Sequence, residues 1–391
     1  MKRHLFFLLP IFFLISCGQQ DATEEPVVYV YNWSDYIAKE SIKQFEESTG
    51  VKVVYDEYDS NEIVEAKLLT GSTGYDLIFP SARPFAQRHI AAVRYAALDK
   101  SKLPALPNID PAILYGLGDV DPGNQHVVPY LWGTTGLGIN IKKVREVLGE
   151  NAALDSWSLL FDPSVSSKLA DCGISVLDDK QEGFGAALIY RQRDPNGYSA
   201  DEDEVVYQTF TAISANIRTF NSSEYIDDLA NGNLCLALGF SGDIFQARDR
   251  AVEAGNGVEI EYVIPKEGAV RWIDVMAIPK DAAHPGNAHR LINHLLQPEV
   301  AAAISNYVGY ATPNLGAMAL LDAGISGNPG IYPPKEVMAK LVDLVLLPDE
   351  VQRERARVWK AIKSGDQQWH SRSAAANQSN KQTEEQKAPS Q

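Results

Sequence analysis

Basic charge, histidine, cysteine and long apolar runs are all scarce in this 391-residue chain. Lys and Arg number 35 against 51 Asp and Glu, a net charge of −16. Phosphate backbones are held by basic surfaces, so nucleic acid is a poor candidate partner. A cationic ligand suits the sign, although acidity also simply aids solubility. The cysteines are Cys17, Cys172 and Cys235, and neither CxxC nor HExxH occurs. Six histidines follow His4, so a metal site has no motif to stand on. Nothing supplies a nucleophile with a base: there is no GxSxG and no reactive-cysteine context. Asp178, Asp179 and Glu182 lie close together, but without such a partner they do not make an enzyme. The glycines of VVPYLWGTTGLGINI (127–141) lie in a β-rich run and are not spaced as GxGxxG, so they make a weak nucleotide loop.

The main apolar run is residues 5–15, behind Lys2 and Arg3. Eleven residues are too few to span a bilayer and suit a secretory signal. It ends in Leu14-Ile15-Ser16-Cys17, which resembles the bacterial lipoprotein cleavage box. This implies cleavage before Cys17 and lipid attachment to it, with an ordinary signal and a chance cysteine as the alternative. Residues 1–16 are then the signal peptide and 17–26 a polar tether. Removing Lys2 and Arg3 takes the mature chain from −16 to near −18. The expected location is the periplasm, with a membrane reached only through the lipid on Cys17. In that oxidising setting Cys172 and Cys235 read naturally as a disulfide, with two buried free thiols as the alternative. Residues 366–391 are polar and nearly free of large apolar side chains, and are expected to be a disordered tail.

With 45% hydrophobic and 22% charged residues, the chain can build real cores, and its length suggests two domains. From residue 27 strand and helix patterns alternate. VVYVYNW (27–33), VKVVYDEY (51–58) and LIFPS (77–81) read as strands. SIKQFEES (41–48), EIVEAKLL (62–69) and PFAQRHIAAV read as helices, with Asn61 as an N-cap and Ile63, Leu68 and Leu69 inward. This rhythm predicts a mostly parallel sheet flanked by helices. The run 127–141 suggests a crossing between two lobes. A second α/β lobe follows, with strands at 174–179 and 231–243 and a hairpin-like pair over 259–279. Helices are expected at 288–310, broken near Pro298, and at 335–345 and 353–362.

Acids and rings sit where apolar runs end: Trp33-Ser34-Asp35-Tyr36, Ser81, Asp179 with Glu182, Phe240 with Asp243, Trp272 with Asp274, and Tyr310. Ligands of open α/β sheets bind outside the carboxyl ends of strands. If these ends converge, they make a pocket of carboxylates and aromatic faces suited to a cation. Taken singly, each also has an ordinary structural role, such as Asp35 or Asp243 capping a helix.

The segments YNWSDY, KVVYDEYDSNE, GSTGYDLIFPS, NSSEYIDDLANG, GDIFQA and NPGIYPP closely resemble the bacterial putrescine- and spermidine-binding receptors of polyamine ABC transporters. The likeness runs from about residue 27 to 365. It implies a two-lobed periplasmic binding fold, with each lobe a mixed, mostly parallel sheet flanked by helices and the ligand in the cleft between them. Residues 27–134 and 259–304 would form lobe 1, and 135–258 and 305–365 lobe 2. The ligand-contacting segment Trp33, Ser34, Asp35 and Tyr36, the serine Ser81, the second-lobe acid Glu182, the amine-binding Asp243 and Asp274, and the aromatic wall Tyr310 match the family's pattern. So does a Cys172–Cys235 disulfide. Phe240, Trp272, Arg83 and Asp179 depart from the putrescine-binding members, and Trp272 and Asp179 agree with the spermidine-selective ones. The resemblance implies a monomeric receptor that needs no cofactor and delivers a polyamine to permease subunits. The runner-up ligand is another cationic amine, such as agmatine or cadaverine, and a sensor without a transport role is the other alternative.

Overall fold

The computed structural model describes residues 24–366. The expected signal, Cys17, most of the tether and nearly all of the tail lie outside the described residues.

Ten strands are present among these: β1 (Val27–Trp33), β2 (Lys52–Tyr58), β3 (Leu77–Ile78), β4 (Val127–Asn140), β5 (Ile174–Val176), β6 (Thr219–Phe220), β7 (Leu236–Phe240), β8 (Ile260–Val263), β9 (Ala269–Ala277) and β10 (Leu341–Asp343). The first sheet has the order β2-β1-β3-β9-β4, with β10 beside β9; β1 pairs parallel to β2 and β3, while β9 runs antiparallel to β3 and β4. The second has the order β4-β7-β5-β6, parallel except where β4 meets β7 and β8. Helices connect the parallel strands, as crossover geometry requires.

Strand β4 belongs to both sheets. Its first half, from Val127 to Thr134, pairs with β9, and its second half, from Thr135 to Asn140, pairs with β7 and β8. The long extended run is therefore a bridge, and its glycines serve packing. A Cβ on Gly136 would stand 2.4 Å from the carbonyl oxygen of Val263. Only glycine lets the two backbones approach this closely.

The expected hairpin at 259–279 does not form. In register, β8 and β9 follow each other along β4, Val263 opposite Leu137 and Arg271 opposite Thr134. Apolar alternation marks both as strands but does not say which partner each takes. We propose that the lobes divide within β4 at Thr134/Thr135 and again between β8 and β9. That division moves 259–268 from the expected lobe 1 to lobe 2.

Side-chain alternation sorts the cores. Val28, Val30 and Met276 bury on one face of the first sheet, against Phe45, Phe79 and Leu291. Tyr31, Ile78 and Val275 bury on the other, against Tyr58 and Val64. The second sheet has its own core, with Trp157, Phe161, Phe184 and Phe210 at its centre. Helix Asn61–Thr70 differs from expectation: Ser60 precedes it as the cap residue, Val64 and Leu68 face inward, and Ile63 and Leu69 are exposed. Asn61 instead turns its amide onto Ser81. The helix expected over 335–345 is a single turn, Lys335–Met338, followed by β10. The break at Pro298 separates helices Pro285–Leu295 and Pro298–Val308 as the sequence indicates.

Candidate functional site

A cleft of about 740 Å³, including its mouth, opens where strands of both sheets end. Eleven of the twelve candidate residues line it. Trp33 ends β1, Ser34 and Tyr36 follow it, Ser81 follows β3 and Phe240 ends β7; Trp272 and Asp274, expected at a strand end, lie inside β9, which runs on to Ala277. Asp243 stands in the first turn of helix Ser241–Ala254, Asp179 and Glu182 at the start of helix Lys180–Tyr190, and Tyr310 just beyond helix Pro298–Val308.

The rings form a connected wall. Trp272 meets Phe240 edge-on at 5.6 Å between centroids and Tyr310 at 5.3 Å; Tyr310 meets Tyr36 at 5.1 Å. Hydrogen bonds fix their orientation. The Trp33 indole donates to the Phe79 carbonyl at 2.8 Å, and the Trp272 indole to the Thr135 hydroxyl at 3.2 Å. Two glycines make room. A Cβ on Gly133 would lie 2.7 Å from the Trp272 ring, and one on Gly242 2.3 Å from the Tyr310 ring.

Four carboxyl groups face this wall from two directions. Asp243 accepts from Tyr310 at 2.5 Å and Tyr225 at 2.7 Å. Asp274 accepts from the Ser81 hydroxyl at 2.7 Å, and Asn61 in turn bonds Ser81. Burial disfavours the ionised form of an acid. It pushes Asp274 up to about 7, with Ser81 and Tyr36 hydroxyls pulling it back, and Asp243 up to about 6 despite its two tyrosines. Asp179 caps its helix, accepting from the backbone amides of Gln181 and Glu182. Burial and then the Glu62 charge raise it; burial and then the Asp179 charge raise Glu182. Glu182 is 7% exposed, and its Oε2 has no hydrogen-bond partner among the described residues. Such clustered, desolvated acids are held at a cost that a bound cation removes.

Asp35 is the exception. It is not part of the cleft lining. Its backbone is left-handed (φ +53°), which turns the carboxylate toward Arg250 of the opposite lobe at 2.9 Å. Gln246 also donates to its carbonyl at 3.3 Å. A strand continued past Trp33 would keep Asp35 on the side of Trp33, but β1 ends there and the positive φ at Asp35 turns its side chain away.

The lining also includes residues the sequence did not single out: Tyr58, Asp59, Asn61, Gln181, Ser222 and Leu344. Tyr58 and Asp59 sit at the end of an apolar strand, the signal that marked the others. Ser222 and Leu344 carry none. Arg83 lines the cleft but is bound to Asp119, at 3.1 Å through Nε, and to the Gly116 carbonyl at 2.6 Å. Its charge is therefore matched outside the carboxylate group. Cys172 and Cys235 are joined as a disulfide, with Cys235 in the core of the second lobe. Among the described residues no group of three His, Cys, Asp or Glu could hold a metal, and no helix is long and apolar enough to cross a membrane.

Comparison with known proteins agrees with this geometry. The chain is 47% identical over 345 residues to the putrescine-binding periplasmic protein PotF of Escherichia coli, covering 88% of this chain and 93% of that one. It is 46% identical over 348 residues to the putrescine-binding periplasmic protein SpuD of Pseudomonas aeruginosa, covering 89% and 95%. Among solved structures, the spermidine/putrescine ABC transporter substrate-binding protein PotD of Streptococcus pneumoniae superposes with a TM-score of 0.70 at 28% identity, covering 86% of this chain and 98% of that one. These relatives are binding proteins and not enzymes. The family model of the bacterial extracellular solute-binding proteins matches residues 40–331, and with it the two-sheet fold and its interlobe cleft find their place: the chain belongs to that family.

Proposed function

We propose that this protein is the extracytoplasmic receptor of an ABC importer and that its ligand is a linear polyamine, spermidine or putrescine. The observation that carries this is the charge inventory of the cleft. Asp179, Glu182, Asp243 and Asp274 face a continuous aromatic wall, and the lone basic residue of the lining, Arg83, is already paired with Asp119. A ligand with an ammonium at each end and methylenes between matches this pattern. Asp243 and Asp274 take one end, Asp179 and Glu182 the other, and Trp33, Tyr36, Phe240, Trp272 and Tyr310 cover the chain between. Ser34 and Ser81 complete the polar contacts. Burying a methylene contributes about 0.8 kcal/mol, and each ammonium–ring contact roughly 0.5–2 kcal/mol. A micromolar dissociation constant requires about 8 kcal/mol net, so a few such contacts suffice after desolvation.

The names of the relatives support the ligand class and the transport role. Asp179 adds an acid beside Glu182, and Trp272 adds ring area, which favours the longer triamine. Arg83 does not oppose it, because Asp119 holds its guanidinium. Permease subunits are the protein partner, the receptor acts as a monomer, and a lipid on Cys17 tethers it. Calorimetry of the ligand-stripped protein with putrescine, spermidine, lysine and glutamate tests the reading. The expected result is micromolar or tighter binding of a polyamine and none of glutamate. Tighter binding of either amino acid than of both polyamines overturns it.

A further inference from the structure

The cleft does not stop at its acidic end. Asp59 and Ser222 line the site just described and also a second interlobe compartment, of about 790 Å³ with its mouth. Its first-lobe wall is the turn between β2 and helix Asn61–Thr70. Its second-lobe wall carries Phe220 at the end of β6 and Trp359 of helix Asp349–Ser364, whose rings meet edge-on at 5.6 Å. The charges there are nearly matched. Lys180 pairs with Glu62, and Lys363 pairs with Asp178 at 2.6 Å, which also accepts from the Trp359 indole at 3.0 Å. Asp59 remains: it is exposed and has neither hydrogen bond nor ion pair to any described residue. At the doorway the Ser222 hydroxyl is buried without a partner.

We infer that the site admits a linear tetraamine of the spermine class, three of whose amines lie in the inner cleft while the fourth passes Ser222 and meets Asp59. The inference rests on the polyamine reading and extends it. The buried acids of the inner cleft suit a di- or triamine, and Asp59, at the boundary that the two compartments share, adds one unmatched carboxylate, which is the charge of one further ammonium. Ser222 gives the passing secondary amine an acceptor, and Phe220 gives the extra methylenes an apolar wall. An end-stopped site would instead place a matched ion pair or a bulky side chain across the boundary.

Calorimetry of the ligand-stripped full chain with putrescine, spermidine and spermine, for the parent and Asp59→Asn at one ionic strength, tests this. The expected result is spermine binding within tenfold of the better shorter amine, with Asp59→Asn weakening spermine at least fivefold more than spermidine. Spermine more than tenfold weaker in the parent, while a shorter amine binds, overturns the inference alone. A smaller differential loss in Asp59→Asn does the same, because it means that Asp59 acts only through its general field. If none of the three amines binds, the polyamine reading falls and the inference with it.

Discussion

Polyamine binding should weaken at least about 100-fold when the pH is lowered from 7.5 to 5.5. The reason lies in the two aspartates nearest the rings. In the cleft, burial raises Asp274 to about 7 and Asp243 to about 6. An adjacent ammonium favours the carboxylate, so the ligand binds the ionised forms and must displace whatever protons are present. Between these two pH values the proton on Asp274 lowers affinity by roughly a factor of 25, and that on Asp243 by roughly a factor of 4. Together this is about 2.7 kcal/mol. The ligand's primary amines, like a lysine side chain, stay charged throughout. The linked pair Asp179 and Glu182, also raised by burial, can only add to the loss. Calorimetry in buffers of different ionisation enthalpy should show protons released on binding near pH 6. Circular dichroism at pH 5.5 establishes that the fold is intact. An affinity that changes less than threefold over this range refutes the reasoning, as does an Asp274→Asn variant with undiminished pH dependence. The same groups set an opposite trend in the stability of the ligand-free protein. Their folded values exceed the unfolded one, so the stability they contribute is present below about pH 4 and is lost as the pH rises through about 6 to 7. Saturating polyamine should flatten that decline in thermal melts.

Asp35→Asn and Arg250→Gln should each weaken binding by about 0.2–1 kcal/mol, as expected for a partly exposed ion pair, whereas Asp274→Ala or Asp243→Ala should cost about 2–5 kcal/mol. Titration of all four variants separates an interlobe clasp from a ligand carboxylate, and an Asp35 effect as large as that of Asp274 would return Asp35 to the site. Gly242→Ala places a methyl group on the Tyr310 ring and should weaken binding by at least about tenfold with the fold retained; affinity within twofold of the parent contradicts this. Replacing Cys172 and Cys235 by alanine, 63 positions apart, should lower stability by up to about 4 kcal/mol in the chain-entropy model while affinity stays within threefold. Denaturant melts and titration check both halves, and lost affinity in a folded variant would refute the separation.

Much of this molecule was legible before any coordinates. Strand period, acidic charge and the acids and rings closing apolar runs depend only on neighbours in sequence, and they placed Trp33 at a strand end and Asp243 at a helix start, whereas Trp272 and Asp274 lie inside β9. A likeness spread along nearly the whole chain added the two-lobed fold and the class of ligand. Sequence did not show which edge of which strand each β segment joins. Both β8 and β10 are short apolar runs, and their partners are set by packing between residues more than sixty positions apart. Nor did it show that Asp35 turns out of the cleft, that Arg83 is tied to Asp119, or that Ser222 and Leu344 reach the lining. Those are matters of backbone hand and of three-dimensional neighbours. The chemistry of the pocket was thus determined by which residue types the chain carries at a few strand ends, helix starts and one strand interior. Its size, its open end and the protonation of its acids were decided by tertiary structure, because burial, which sets all three, exists only once the two lobes face each other.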